Sequence, residues 1–294
     1  MAETASSRTP SGLTPVARRS IGPFTTHVTY QRPDRTTVEW SSRAHRKHAS
    51  RLSRHRGHEH VLWAPHRASW WIAWLFAAGS ACFVVAPFPG FLQLAGPVVD
   101  GVVFFVGSLL FTSAAALQWL ETINASQGPG QAARRRLRLV TFEPRRIDWW
   151  SSGIQLAGTL FFNVSTFAGM QHGFDARETD LRVWSPDAFG SVCFLVASEL
   201  ALASVCGRWM CWRPGARDWQ IAALNLVGSV AFGVAAVTSL VEPSTSEPVS
   251  AAIANAGTTF GALCFLAGAL LMLPGATPAQ DDRALARPPR RART

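Results

Sequence analysis

The chain has 294 residues, 48% of them hydrophobic, and a net charge of +10. That length suffices for one or two soluble domains, but nearly all long apolar runs fall within 69–273 and none within 1–68, which excludes an ordinary soluble fold. The charge is almost entirely arginine, with Lys47 the only lysine, and it gathers in alternate loops, so it reads as membrane orientation and removes the need for a nucleic-acid partner.

In chain order, residues 1–24 are rich in Ser, Thr, Pro and Arg and read as disordered. Residues 26–40 alternate around Pro33–Asp34, which predicts a short hairpin of Thr26–Tyr30 with Thr36–Trp40. Residues 41–56 read as a basic helix lying against anionic headgroups. The nearby histidines (His45, His48, His55, His58, His60 and His66) sit among arginines that repel cations and are not expected to hold a metal. The first apolar run begins near residue 69, too late for a signal peptide, so the first span is expected to direct insertion.

Six stretches then follow, 69–88, 98–120, 149–170, 187–206, 219–241 and 250–273. Each is near the ~20 residues that cross a bilayer core. Each carries Gly, then Phe four residues on, then a small residue three further: Gly79/Phe83/Ala86, Gly107/Phe111/Ala114, Gly158/Phe162/Ser165, Gly190/Phe194/Ala197, Gly228/Phe232/Ala235 and Gly261/Phe265/Gly268. These offsets share one helical face, and small residues on such a face let backbones approach in lipid. A hydroxyl follows five of the glycines, as Ser80, Ser108, Thr159, Ser191 and Ser229, with Ala262 at the sixth. The odd spans begin alike, with Ser69–Trp70, Asp148–Trp149 and Asp218–Trp219 nine residues before their glycine, a place for a helix cap and an interfacial tryptophan.

This pattern predicts an all-α membrane fold of six transmembrane helices, arranged as three parallel two-helix hairpin repeats at 69–120, 149–206 and 219–273. Residues 1–68 form a basic cytoplasmic region and 274–294 a disordered basic tail. Arginines crowd the loops at 121–148 and 207–218 and the tail, whereas 89–97 and 242–249 carry none. Both termini are therefore expected in the cytoplasm, with the protein in the plasma membrane and its basic segments against anionic headgroups. A homo-oligomer or an unidentified membrane partner is compatible with this reading.

The segment Phe104-Phe105-Val106-Gly107-Ser108-Leu109-Leu110-Phe111 resembles the YrhK-like domain, a small two-helix membrane unit. Ile147 through Phe167 and Trp184 to Ser198 are similar to actinobacterial integral membrane proteins carrying such units. The resemblance implies membrane location and hairpin architecture, and it implies no activity and no site residues.

Polar groups inside lipid are the natural candidates for function. Glu199 lies two-thirds through the fourth span with no acid at the matching positions Ala116 and Leu270. It reads as a proton or cation group, or as an acid that is protonated, snorkels, or bonds Asn163 or a serine. Gln155 and Asn225 share one repeat position, occupied by Phe76 in the first repeat, and read mainly as interhelical hydrogen-bond glue. Cys82, Cys193 and Cys264 are aligned and read as small buried residues, not as a metal cluster; Cys206 and Cys211 are expected reduced. No His-Glu-x-x-His, Gly-x-Ser-x-Gly or phosphate-binding glycine loop is present, so no enzyme, cofactor or metal is expected. The favoured function is a structural or interaction membrane protein. The alternative is a small-solute, proton or cation transporter or channel lined by Glu199, Gln155, Asn163 and Asn225.

Overall fold

A computed structural model describes residues 14–31, 33, 37–41, 65, 67–124, 137–171, 173–242, 244–245 and 247–273. The expected basic helix at 41–56, the histidine-rich stretch and the C-terminal tail lie outside these residues. Strands β1 (Thr14–Ile21), β2 (Phe24–Gln31) and β3 (Thr37–Ser41) form an antiparallel sheet in the order β1-β2-β3. β2 and β3 pair Val28 with Trp40 and Tyr30 with Val38, within the span predicted for a hairpin. β1 corrects the expectation of disorder: residues 14–21 gain backbone partners by laying a third strand on β2. The β1–β2 turn then docks Ile21 and Phe24 against Ile147, Ile154, Leu200 and Ala203 of the helices.

The helices are α1 (Ala68–Val85), α2 (Pro89–Asn124), α3 (Ile147–Gly169), α4 (Ala176–Thr179), α5 (Ser185–Cys206), α6 (Arg217–Thr238) and α7 (Ala251–Met272). A π-turn at Asp180–Trp184 joins α4 to α5, and a two-stranded hairpin, β4 (Val241–Glu242) with β5 (Glu247–Pro248), joins α6 to α7. In α2 the helix breaks at Gly96, whose φ of 80° and ψ of 164° precede Pro97. Only glycine adopts that backbone at no steric cost. The break separates a short segment, expected as a plain loop, from the spanning helix, and Leu94 on it is 88% exposed.

Five helices (α1, α2, the α4–α5 run, α6 and α7) are long and apolar enough to cross a membrane, and the protein is a multi-pass membrane protein. The 23-residue α3 is long enough but less apolar. Its Ser151, Ser152, Thr159, Ser165 and Thr166 hydroxyls instead hydrogen-bond backbone carbonyls. Such internal satisfaction is what lets polar side chains reside where water is absent.

The long helices pack in chain order, α1 on α2, α2 on α3, α3 on α5, α5 on α6 and α6 on α7, and α7 returns to α1 to close a ring. The six motif glycines lie in three close approaches. A Cβ on Gly79 would stand 3.0 Å from the Gly107 carbonyl oxygen, one on Gly190 3.1 Å from that of Gly158, and one on Gly228 or Gly261 2.9 Å from that of the other. Cys82, Cys193 and Cys264 pack their Cβ atoms against Gly107, Gly158 and Gly228, which accounts for a small residue at each position.

Neighbouring pairs are stitched by hydroxyls. Ser108 and Thr166 are 2.9 Å apart across α2/α3, and Ser198 and Ser229 2.8 Å across α5/α6. Ser80, at the position of Ser229, is buried with no hydrogen-bond partner among the described residues; the position matching Ser198 on the adjoining α7 is Ala269. Ala269→Ser is expected to supply the missing partner and stabilise the bundle by about 0.6 kcal/mol, the typical worth of such a bond in a membrane, read by thermal unfolding in detergent.

Two local expectations change. The helix caps are Arg67, Arg146 and Ala216, none with a side-chain bond, so Ser69, Asp148 and Asp218 stand inside the first turn. Asp148 there accepts from Ser204 Oγ of α5 at 2.9 Å. Cys206 and Cys211 are joined by a disulfide, not left as free thiols. Disulfides mark oxidising compartments and arginine-rich loops mark the cytoplasmic side, so the two signals at this end of the bundle point in opposite directions.

Candidate functional site

Four residues past each motif glycine, a phenylalanine points to the ring axis. Phe83, Phe162 and Phe232 form one triangle with ring centroids 5.9 to 6.5 Å apart. Phe111, Phe194 and Phe265 form a second, at 5.8 to 6.4 Å. Within each helix pair the two triangles touch at 5.6 Å (Phe83–Phe111), 5.0 Å (Phe162–Phe194) and 5.6 Å (Phe232–Phe265). All of these contacts are edge-on or tilted, and none is a face-to-face stack, which aromatic quadrupoles disfavour. All six rings are at least 92% buried, and they fill the axis.

A void of about 10 Å³ remains among Phe83, Phe111, Phe162, Phe194, Phe232 and Ser108. One water needs about 10–15 Å³ and two or more polar partners. The hydroxyl of Ser108 already bonds Phe105 and Thr166, so the layer is dry.

On the arginine-rich side of this layer the ring opens into a vestibule of about 460 Å³, floored by Phe194 and Phe265. That volume falls in the range of small-molecule sites, about 300–1,000 Å³. The walls differ. Gln118, Glu121, Ser151, Gln155, Ser198 and Ser204 make a polar wall from α2, α3 and α5. Ile72, Phe76, Ile221, Ala269 and Met272 make an apolar wall from α1, α6 and α7, broken by Asn225. The mouth carries Arg67, Asp148, Arg217 and Asp218. Arg217 is spent on the end of α7, donating from Nε to the Leu271 carbonyl at 2.6 Å and from Nη2 to that of Leu273 at 2.7 Å.

Gln155 and Asn225 both reach this vestibule. Among the described residues, neither side-chain amide, nor that of Gln118, has a hydrogen-bond partner. Asn225 Oδ1 occupies the space that a Cβ on Gly268 would need. Asn163 does not join them; its Oδ1 accepts from Thr112 Oγ1 at 3.1 Å across the α2/α3 interface. Glu199 is half-buried and lies outside the vestibule wall. It follows Val192, Leu195 and Val196 on the outward stripe of α5, all of them exposed. Its side chain there can snorkel toward the arginine-rich end. Two of the four candidate polar residues thus share a cavity, and two do not.

Among the described residues no group of three or more His, Cys, Asp or Glu could hold a metal ion.

A second repeated feature frames the mouth. Trp71 donates from Nε1 to the Pro65 carbonyl at 2.9 Å, Trp150 to that of Pro144 at 3.0 Å, and Gln220 from Nε2 to that of Pro214 at 2.7 Å. Trp149 and Trp219 each reach back eight residues, to the carbonyls of Thr141 and Cys211, both at 2.8 Å. The signal was present as Pro five residues before each helix-opening Trp, but proline in a polar loop reads simply as a turn. Gln118 and Ser151 were missed because only the fold turns them toward a shared space.

No family model matches this chain, and no curated protein or solved structure is significantly similar to it.

Proposed function

We propose that this multi-pass membrane protein takes a small amphipathic solute into the vestibule from its arginine-rich side, as the binding stage of a channel or transporter closed at the phenylalanine layer. One observation carries the reading: a cavity of about 460 Å³ bearing three amides with no hydrogen-bond partner among the described residues, Gln118 and Gln155 opposite a mostly apolar wall and Asn225 within it. Amides so placed bind water or a solute, because leaving them dry costs about 1–3 kcal/mol each. The rival reading, a scaffold without a solute, rests on the same six rings sealing the axis. The cavity favours the first.

The spanning units are read as three copies of one hairpin, with α3 as the sixth span. Support comes from the recurring glycine contacts, the paired phenylalanine triangles and the Pro–Trp elbows. The YrhK-like resemblance fits that construction. Arginine bias supports a vestibule facing the cytoplasm of a plasma membrane, against the opposite signal of the Cys206–Cys211 disulfide.

Cysteine accessibility tests the reading. In a background with the free cysteines Cys82, Cys193 and Cys264 replaced by Ala, Gln155→Cys and Asn225→Cys are expected to react with a membrane-impermeant methanethiosulfonate from the arginine-rich side only. Asn163→Cys, bound in a helix interface, is expected to stay unlabelled. Protection of both reactive positions by one class of small solute would identify the ligand. Equal reactivity from both sides, or none, removes the vestibule.

A further inference from the structure

The two fully described elbows at the arginine-rich end, 137–145 and 207–213, show an arrangement that the vestibule does not use. Their apolar side chains face outward: Val140 is 81% exposed, Phe142 78%, Met210 69% and Trp212 78%. Each aromatic is braced on the tryptophan opening the next helix, Phe142 on Trp149 at 5.6 Å and Trp212 on Trp219 at 5.0 Å. The Cys206–Cys211 disulfide closes the second elbow around Trp209 and Met210, which fixes their loop. Arginines are interleaved, Arg138 and Arg145 in the first elbow and Arg208 and Arg213 in the second, all exposed. The acid within these segments is Glu143, which is paired with Arg146.

A rigid aromatic beside an exposed guanidinium has two preferences met together in one place. The ring belongs at the boundary of the acyl chains and the guanidinium belongs on a phosphodiester, which it can grip with two parallel hydrogen bonds. The second elbow joins two helices apolar enough to cross a membrane, α5 and α6, and the first follows one such helix, α2, in the chain and leads into α3. We propose that they are seats for anionic phospholipid headgroups, with Phe142, Met210 and Trp212 entering the acyl boundary and the four arginines pairing the phosphates. The occupant is a lipid surface and not a soluble anion, because exposed rings of this size gain nothing from phosphate in water. The inference depends only on membrane placement and stands apart from the solute reading.

The test compares thermal unfolding in nanodiscs of phosphatidylcholine with nanodiscs containing phosphatidylglycerol. Anionic lipid is expected to raise Tm by several degrees for the natural chain. The shift is expected to disappear in the variant R138Q/R145Q/R208Q/R213Q and to persist in R177Q/R182Q, whose arginines lie at the opposite end. If the fourfold variant does not fold, R138Q/R145Q and R208Q/R213Q are measured separately, each expected to lose part of the shift. A full shift in the substituted variants, or none in the natural chain, overturns the proposal. Added inorganic phosphate in phosphatidylcholine discs is expected to have no effect; a matching shift there would assign the site to a soluble anion.

Discussion

Replacing Phe162 by alanine is expected to make proteoliposomes containing the protein leak a small polyol such as erythritol at least about tenfold faster, measured by light scattering after an osmotic step. Phe162 contacts rings in both triangles, Phe194 at 5.0 Å and Phe232 at 5.9 Å. It also borders the dry void, which shares Phe194 with the vestibule floor. Truncation is expected to join void and vestibule and to turn a dry space of about one water's size into a path for several. A hydrophobic constriction gates by excluding water, so widening it past that limit changes flux far more than it changes shape. Phe162→Leu, which keeps most of the volume, is expected to leave the leak near its natural value. Because a buried Phe→Ala change costs about 3–5 kcal/mol in soluble cores, each preparation must first elute as a single species. An intact, monodisperse Phe162→Ala protein with no added leak would return the molecule to the scaffold reading.

The second large effect concerns the helix seam, where two glycines of α6 should respond with opposite signs. A Cβ at Gly228 would lie 2.9 Å from the Gly261 carbonyl oxygen and 3.1 Å from Cys264 Cβ, and backbone cannot yield without moving the whole of α7. Gly228→Ala is therefore expected to destabilise by about 1–3 kcal/mol, the usual penalty for forced overpacking. Gly233, on the same helix, has nothing within 4 Å of a would-be Cβ. Gly233→Ala is expected to stabilise by up to about 1 kcal/mol through helix propensity alone. Thermal unfolding of the two variants in one detergent checks the pair. A loss of stability at both, or at neither, would mean that the seam is not packed as described.

The split among the polar candidates has a mechanistic meaning as well. Phe76, Gln155 and Asn225 each stand three residues before a motif glycine, yet Gln155 lies on the polar wall and Phe76 on the apolar wall that Asn225 interrupts. Under the proposed solute reading that asymmetry would orient an amphipathic ligand, whereas a pore conducting only water or ions would gain nothing from it.

Period and composition were enough to place the helices. Each apolar run carries its own boundary signals, and the observed ends of α1, α3, α5, α6 and α7 lie within a few residues of those expected from sequence. The small–large–small seam was legible for the same reason: offsets of four and seven share a helical face whatever the helix packs against. Ring closure by α7 on α1 was one of two arrangements that parallel hairpins allow, a ring or a line, and no local pattern states whether the two distant end helices will meet. The same holds for the vestibule. Gln155, Asn163, Asn225 and Glu199 look alike as isolated polar residues in apolar runs, and only the rotation of each helix within the ring sends two to a cavity, one to an interface and one outward. Local periodicity fixes which residues share a face, because it follows from backbone geometry within one helix. What that face meets is a relation between helices, and it exists only once the bundle has closed.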